Sequence, residues 1–153
     1  MGRFRAGWVV GLGLLCAVAG CQTNAPKPLY DRLGGQMMIG VIVEDFVGRA
    51  AGDPRVNFTR KGTAHVWDPT PDNVDKLKAH LTEFFEAATG GPQSYTGRDM
   101  RSVHAGMEIT NAQFDAIEAD LSKTLAKFDI PAKETSELMA IVEGTRKDIV
   151  EVK

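Results

Sequence analysis

Apolar residues recur three and four positions apart in four stretches of this 153-residue chain, and glycine, proline or a polar cluster closes each stretch. Over residues 36–51, Met38, Ile42, Val43, Phe46 and Val47 keep helical spacing, with Ile39 and Val41 widening the apolar face. Glu44-Asp45 breaks a period-two reading of Val41-Ile42-Val43, and Gly52-Asp53-Pro54 ends the stretch. Thr70-Pro71-Asp72 starts a second helix with a hydroxyl cap, a proline in the first turn and an acid near the positive end. It runs to about Thr89 through Val74, Leu77, Leu81, Phe84, Phe85 and Ala88, and stops at Gly90-Gly91-Pro92. Thr110-Asn111-Ala112-Gln113 is a capping box for a third helix carrying Phe114, Ile117, Leu121, Leu125 and Phe128. Pro131 opens the last, with Leu138, Ile141, Val142 and Ile149 on its core face. The pattern predicts an all-α fold, with no internal repeat.

Two segments fall outside this regularity. Residues 55–70 are polar and irregular, long for a connection in a compact domain, and contain His65 and Trp67, read as surface-loop residues or a lid. Residues 95–109 hold Gly97 and Gly106 around a piece too short for more than one helical turn, in which Met100, Val103 and His104 share a face. That face is apolar apart from the imidazole. His80, three residues after Leu77 and four before Phe84, is expected on the buried face of the second helix.

Composition and the N-terminus bound the function. Arg3 and Arg5 precede an uncharged apolar run over residues 8–18, too short to span a membrane, and Val18-Ala19-Gly20-Cys21 follows it. Residues 1–21 therefore read as a signal peptide, and the tetrad resembles the bacterial lipobox, whose cysteine is lipidated. Residues 22–28, polar with two prolines, read as a tether, and residues 29–153 as one domain. The expected protein is exported and anchored through lipid on Cys21 to a bacterial membrane on the periplasmic side. Gln22, in place of the aspartate that retains enterobacterial lipoproteins at the inner membrane, hints at the outer one. Cys16 lies in the removed segment and Cys21 carries the lipid, so the domain has no thiol for a disulfide or a thiolate metal site. Removing Arg3 and Arg5 from 18 basic residues leaves 16 against 20 acidic, a net charge of −4. That balance argues against nucleic acid as a partner, since phosphate binding needs a basic face.

Four substantial helices leave bundles and globin-like folds as the main options. Neutral imidazole ligates haem iron, and a porphyrin needs a wide apolar slot; Phe84, Phe85, Met100, Val103, Met107 and Phe114 surround the histidines with such surface. Here the sequence closely resembles the group 1 truncated haemoglobins. Leu29-Tyr-Asp-Arg-Leu-Gly-Gly35 looks like the family's opening motif, Val43-Glu-Asp-Phe46 like its B helix and Glu83-Phe-Phe-Glu-Ala-Ala-Thr-Gly-Gly91 like the end of its E helix. Tyr95-Thr-Gly97 with Met100-Arg-Ser-Val-His104-Ala-Gly106 is similar to the proximal-histidine segment. Phe114-Asp-Ala-Ile and Ile130-Pro131 resemble the G helix and the start of H.

The resemblance implies a two-over-two helical sandwich, haem b, and His104 as the proximal iron ligand, its other ring nitrogen hydrogen-bonded nearby. Phe46, Val47, Leu77, Leu81 and His80 then fall on the distal side. Val47 stands where many members have a tyrosine, and Leu77 and Leu81 where glutamine is frequent, so the usual hydrogen bond to bound oxygen is missing. His80 matches the position at which some cyanobacterial members supply a sixth iron ligand. Tyr95 is expected to close the corner before the proximal turn. The expected function is reversible binding of oxygen, nitric oxide or carbon monoxide, with a reductase as a further partner. Two alternatives remain open: a bis-histidine haem protein for electron transfer or for redox or nitric oxide sensing, and a haem-free helical interaction module at the membrane. Nitric oxide dioxygenase or peroxidase chemistry is open to any haem, and this pocket does not argue for it. Cys-x-x-Cys-His, the motif for thioether attachment, is absent.

Overall fold

The computed structural model describes residues 26–152. The signal peptide, Cys21 and the first part of the tether lie outside the described residues. Seven helices follow in order: α1 (Leu29–Arg32), α2 (Gly35–Gly52), α3 (Pro71–Ala88), α4 (Met100–His104), α5 (Asn111–Lys127), α6 (Ala132–Glu143) and α7 (Arg146–Ile149). Among the described residues the only β-type pairing is one isolated bridge between Thr110 and Val152. No described helix is long and apolar enough to cross a membrane.

The four long helices form two packed pairs, α2 with α3 and α5 with α6, and α2 also lies against α5. Ile39, Ile42, Val43, Phe46 and Val47 of α2 meet Phe85 of α3, Leu121 and Leu125 of α5 and Leu138 and Val142 of α6 in one apolar core. This is a two-over-two helical sandwich, all-α as the sequence pattern predicts and of the architecture that the resemblance implies. Both anticipated caps form. Thr70 Oγ1 accepts from Asn73 N at 3.3 Å, and Thr110 and Gln113 close the capping box of α5.

Three expectations are corrected. Val41 is 41% exposed although Ile39 is buried, because the core takes the side of α2 that carries Ile39, Ile42, Val43 and Phe46. Ala88, at the end of α3, is exposed as well. The last helix is broken, with Ile149 on the separate α7; Thr145 Oγ1 donates to Val142 O at 2.7 Å next to Gly144, ending α6.

Charged groups brace the sandwich from outside. Arg32 donates to Glu134 at 2.6 Å and also bonds Glu137, tying α1 to α6. Arg146 reaches Asp115 at 2.7 Å and Glu118 and Glu143 at 2.8 Å, with its guanidinium 4.3 Å from the Phe114 ring. Asp45 of α2 accepts from Arg49 at 2.7 Å, from the buried Thr124 of α5 at 2.9 Å and from Lys127. Lys127, Arg49 and Thr124 together pull the Asp45 carboxyl down to about 2, against the opposing effect of its burial. A depressed folded pKa stabilises above the unfolded value near 4, and that contribution is lost as pH falls towards 2. Asp45→Asn is therefore expected to lower unfolding stability at pH 7 by about 1–2 kcal/mol. In urea titrations at a series of pH values, the mutational loss should vanish between about pH 4 and pH 2.

Candidate functional site

Residues of α3 and α4, with part of the sandwich core, border one cleft. It has two lobes, of about 230 Å³ and about 440 Å³. Phe58, Arg60, Leu77, Leu81, Phe84, Met100, Met107 and His104 face both. Phe46, Val47, Phe85 and Phe114 line the smaller, inner lobe, and His80 and Val103 the larger, outer one. All twelve residues expected at the site thus border a single apolar space of the size that holds a large organic ligand.

His104 is placed by α4, a helix too short to be stable alone. Asp99 caps it, its carboxylate accepting from Ser102 N at 2.9 Å, and these bonds hold that carboxyl below its ordinary range. The corner before it is closed by Tyr95, whose hydroxyl donates to Arg98 O at 3.0 Å while its ring stands edge-on to Phe84 at 5.8 Å. Gly97 is required there, since a Cβ would lie 2.2 Å from the Tyr95 hydroxyl. Behind α4, Met107 N donates to His104 O at 3.0 Å. Glu151 accepts from Gly106 N and Glu108 N, both at 2.7 Å, which keeps its carboxyl below the usual range.

The imidazole makes one protein hydrogen bond, from Nδ1 to Met100 O at 2.8 Å. A carbonyl can only accept, so Nδ1 carries the hydrogen and Nε2 keeps its lone pair. Burial pushes the His104 pKa below its ordinary value, with the Met100 bond and Glu151 working the other way. A neutral ring with a fixed tautomer and a free Nε2, facing aromatic and aliphatic walls, has the chemistry of a haem-iron ligand. Lys76, paired with Asp72 at 2.6 Å, and Arg98 border the outer lobe and would supply cations for the carboxylates of such a group. The residues present fit a haem.

His80 is not on a buried face. Its side chain is 60% exposed, with Nδ1 3.9 Å from a Glu83 carboxylate oxygen. Helical geometry explains this. His80 is about 140° around α3 from Phe85, the most buried apolar residue of that helix. The side of α3 shared by Leu77, His80 and Phe84 borders the open lobe, and of the three only Leu77 and Phe84 also pack against the core.

Several lining residues had no signal in the sequence pattern. Phe58 and Trp67, edge to face at 5.2 Å, lie in the irregular segment after α2, so Trp67 belongs to the outer lobe instead of a free surface loop. His65 is exposed but lies against Gly106, where a Cβ would be 2.6 Å from its Nε2. Arg60 is buried to 6% exposure, donating to Met107 O at 2.5 Å and to Gln113 Oε1 at 3.2 and 3.3 Å. A lone arginine in a polar stretch ordinarily reads as solvated.

A two-over-two helical sandwich around a histidine-bearing cleft defines a truncated globin. Comparison with known proteins agrees: the bacterial-like globin family matches over residues 28–151. A group 1 truncated haemoglobin of Mycolicibacterium paratuberculosis is 34% identical over 124 residues, covering 81% of this chain and 85% of its own. The truncated haemoglobin of Tetrahymena pyriformis, solved in its Fe(III) form, superposes with a TM-score of 0.69 at 30% identity, over 81% of this chain and 98% of that one. The 2/2 haemoglobin of a Synechococcus species, solved in a cyanomet state with covalently attached haem, gives the same values. The chain belongs to the group 1 truncated haemoglobins. Membership implies haem-iron binding.

Gly106 combines φ +78 with contact to His65. Gly106→Ala is expected to destabilise the fold by about 1–3 kcal/mol, read by urea unfolding, because the left-handed backbone and the ring both oppose a Cβ.

Proposed function

We propose that this chain holds haem b in the two-lobed cleft, with His104 as the iron ligand, and reversibly binds oxygen, nitric oxide or carbon monoxide on the opposite side. The observation that carries this reading is the neutral His104 ring, tied through Nδ1 to Met100 O and presenting Nε2 to an apolar cleft. Haem, when bound, supplies the iron at which a diatomic ligand is taken up. The chain does the rest. Met100, Val103 and Met107 contribute apolar surface around His104, and Phe84, Phe85 and Phe114 add aromatic walls. Across the cleft, Phe46, Val47, Leu77 and Leu81 exclude water and offer no hydrogen-bond donor. The signal-like residues 1–21 support export and lipid anchoring at Cys21 for the same reading.

A second reading is favoured by one observation. His80 lines the same lobe as His104, and its exposed side chain has only a 3.9 Å approach to Glu83 to restrain it. Acting as a sixth ligand, it would lower the apparent affinity for gases by the fraction of sites left open and suit electron transfer with a reductase, or redox and nitric oxide sensing.

One set of visible spectra separates these readings. Haem added to the purified protein should give a Soret band at one equivalent, lost or strongly weakened in His104→Ala. A ferrous form that is five-coordinate supports gas binding. A six-coordinate low-spin form that becomes five-coordinate in His80→Ala supports the second reading. Absence of a Soret band in the wild type would establish a haem-free helical module, and loss of haem in His80→Ala with retention in His104→Ala would overturn the ligand assignment.

The missing donor can be restored. Leu81→Gln places an amide in the cleft wall and is expected to slow oxygen dissociation roughly tenfold, the effect of a hydrogen bond worth about 1–3 kcal/mol. Stopped-flow displacement of oxygen by carbon monoxide measures it.

A further inference from the structure

Arg60 carries two costs that a loop residue rarely combines. The residue is 6% exposed, and a buried charge is unfavourable unless its surroundings compensate. Its backbone is left-handed, at φ +54, a region that non-glycine residues occupy only under constraint. The constraint is visible. Arg60 N donates to Asn57 O at 2.9 Å, and Arg60 O accepts from Thr63 N at 3.2 Å and from Thr63 Oγ1 at 2.8 Å.

What this arrangement achieves is reach. From the segment joining α2 to α3, the guanidinium fork reaches the connection between α4 and α5. There it donates to Met107 O and Gln113 Oε1, and the Gln113 oxygen also accepts from Thr110 N at 3.1 Å. Met107 N in turn bonds His104 O at 3.0 Å. Met107 O directly, and Thr110 N through Gln113, are thereby tied to one side chain. Arg60 Nη1 also lies 3.5 Å from Val56 O, while Nε has no hydrogen-bond partner among the described residues. Glu108 and Glu151 partly offset the charge. Arg60 faces both lobes of the cleft, so its charge is set in the wall that His104 also faces.

Resting on the haem reading above, we propose that Arg60 is the positioning residue of the proximal turn: it locks the chain between His104 and Thr110 and sets a buried positive charge in the haem cleft. A fixed cation in a low-dielectric wall disfavours the more positive ferric state and raises the reduction potential. The lock and the charge are separable, because lysine keeps the charge but cannot make the fork.

Two measurements on the full domain test this. In haem-free protein, hydrogen exchange of the amides over residues 106–110 should accelerate at least about tenfold in both Arg60→Met and Arg60→Lys. In the haem-loaded protein, the ferrous-to-ferric ratio at a fixed potential should fall roughly tenfold in Arg60→Met, a negative midpoint shift of about 59 mV. It should stay near the wild-type value in Arg60→Lys. Unchanged exchange in folded variants overturns the lock, and an unchanged midpoint in Arg60→Met overturns the role of the charge. Should Arg60→Met not fold, Arg60→Gln provides the neutral variant, and the same two outcomes decide. A wild-type chain that takes up no haem defeats the haem reading, and the exchange measurement still decides on the lock.

Discussion

The bond from His104 Nδ1 to Met100 O is the interaction on which the site depends. It selects the tautomer, aims Nε2 at the cleft and joins the two ends of the five-residue α4. A helix of one turn has no stability of its own to hold such a geometry. The chain therefore supplies it from outside: Asp99, Tyr95 and Gly97 on one side, Glu151, Gly106 and Arg60 on the other. The geometry of the His104 ring is set by its neighbours.

Core and cleft wall meet beside that turn. Ile39, Ile42, Leu121, Leu125 and Leu138 are almost fully buried and provide the sandwich with its apolar core. The cleft shares Phe46, Val47, Phe85 and Phe114 with that core and adds Leu77, Leu81, Phe84, Met100 and Met107, which are only partly buried. Apolar surface left partly open in this way is what a large flat apolar ligand needs, and globular proteins seldom leave it without a use.

The helices were legible because their signals are local. The hydroxyl caps Thr70 and Thr110, the capping-box Gln113 and the apolar spacing of α2, α3 and α5 all act within a few residues, and each appears where the pattern places it. The lining of the cleft was legible from family resemblance together with spacing. Periodicity failed where a helix face borders open space. It groups His80 with Leu77 and Phe84 but cannot tell a cleft from packed core. It failed again between α2 and α3, where burial is decided by contacts far along the chain. Arg60 meets Gln113, 53 residues away, and no pattern around Arg60 foretells it. Val41 shows the same limit on α2, an apolar residue beside buried ones that points outward.

The ion pairs at Arg32, Asp45 and Arg146 lie on the outside of the sandwich, and none of these three residues lines the cleft. Ionic strength therefore acts on the two parts in opposite directions. Salt screens partly exposed pairs, loosening the struts between helices, while excluded salts such as sulfate strengthen the burial of apolar surface. A rise in salt would shift the balance of stability from the frame towards whatever fills the cleft, making the folded state more dependent on its occupant.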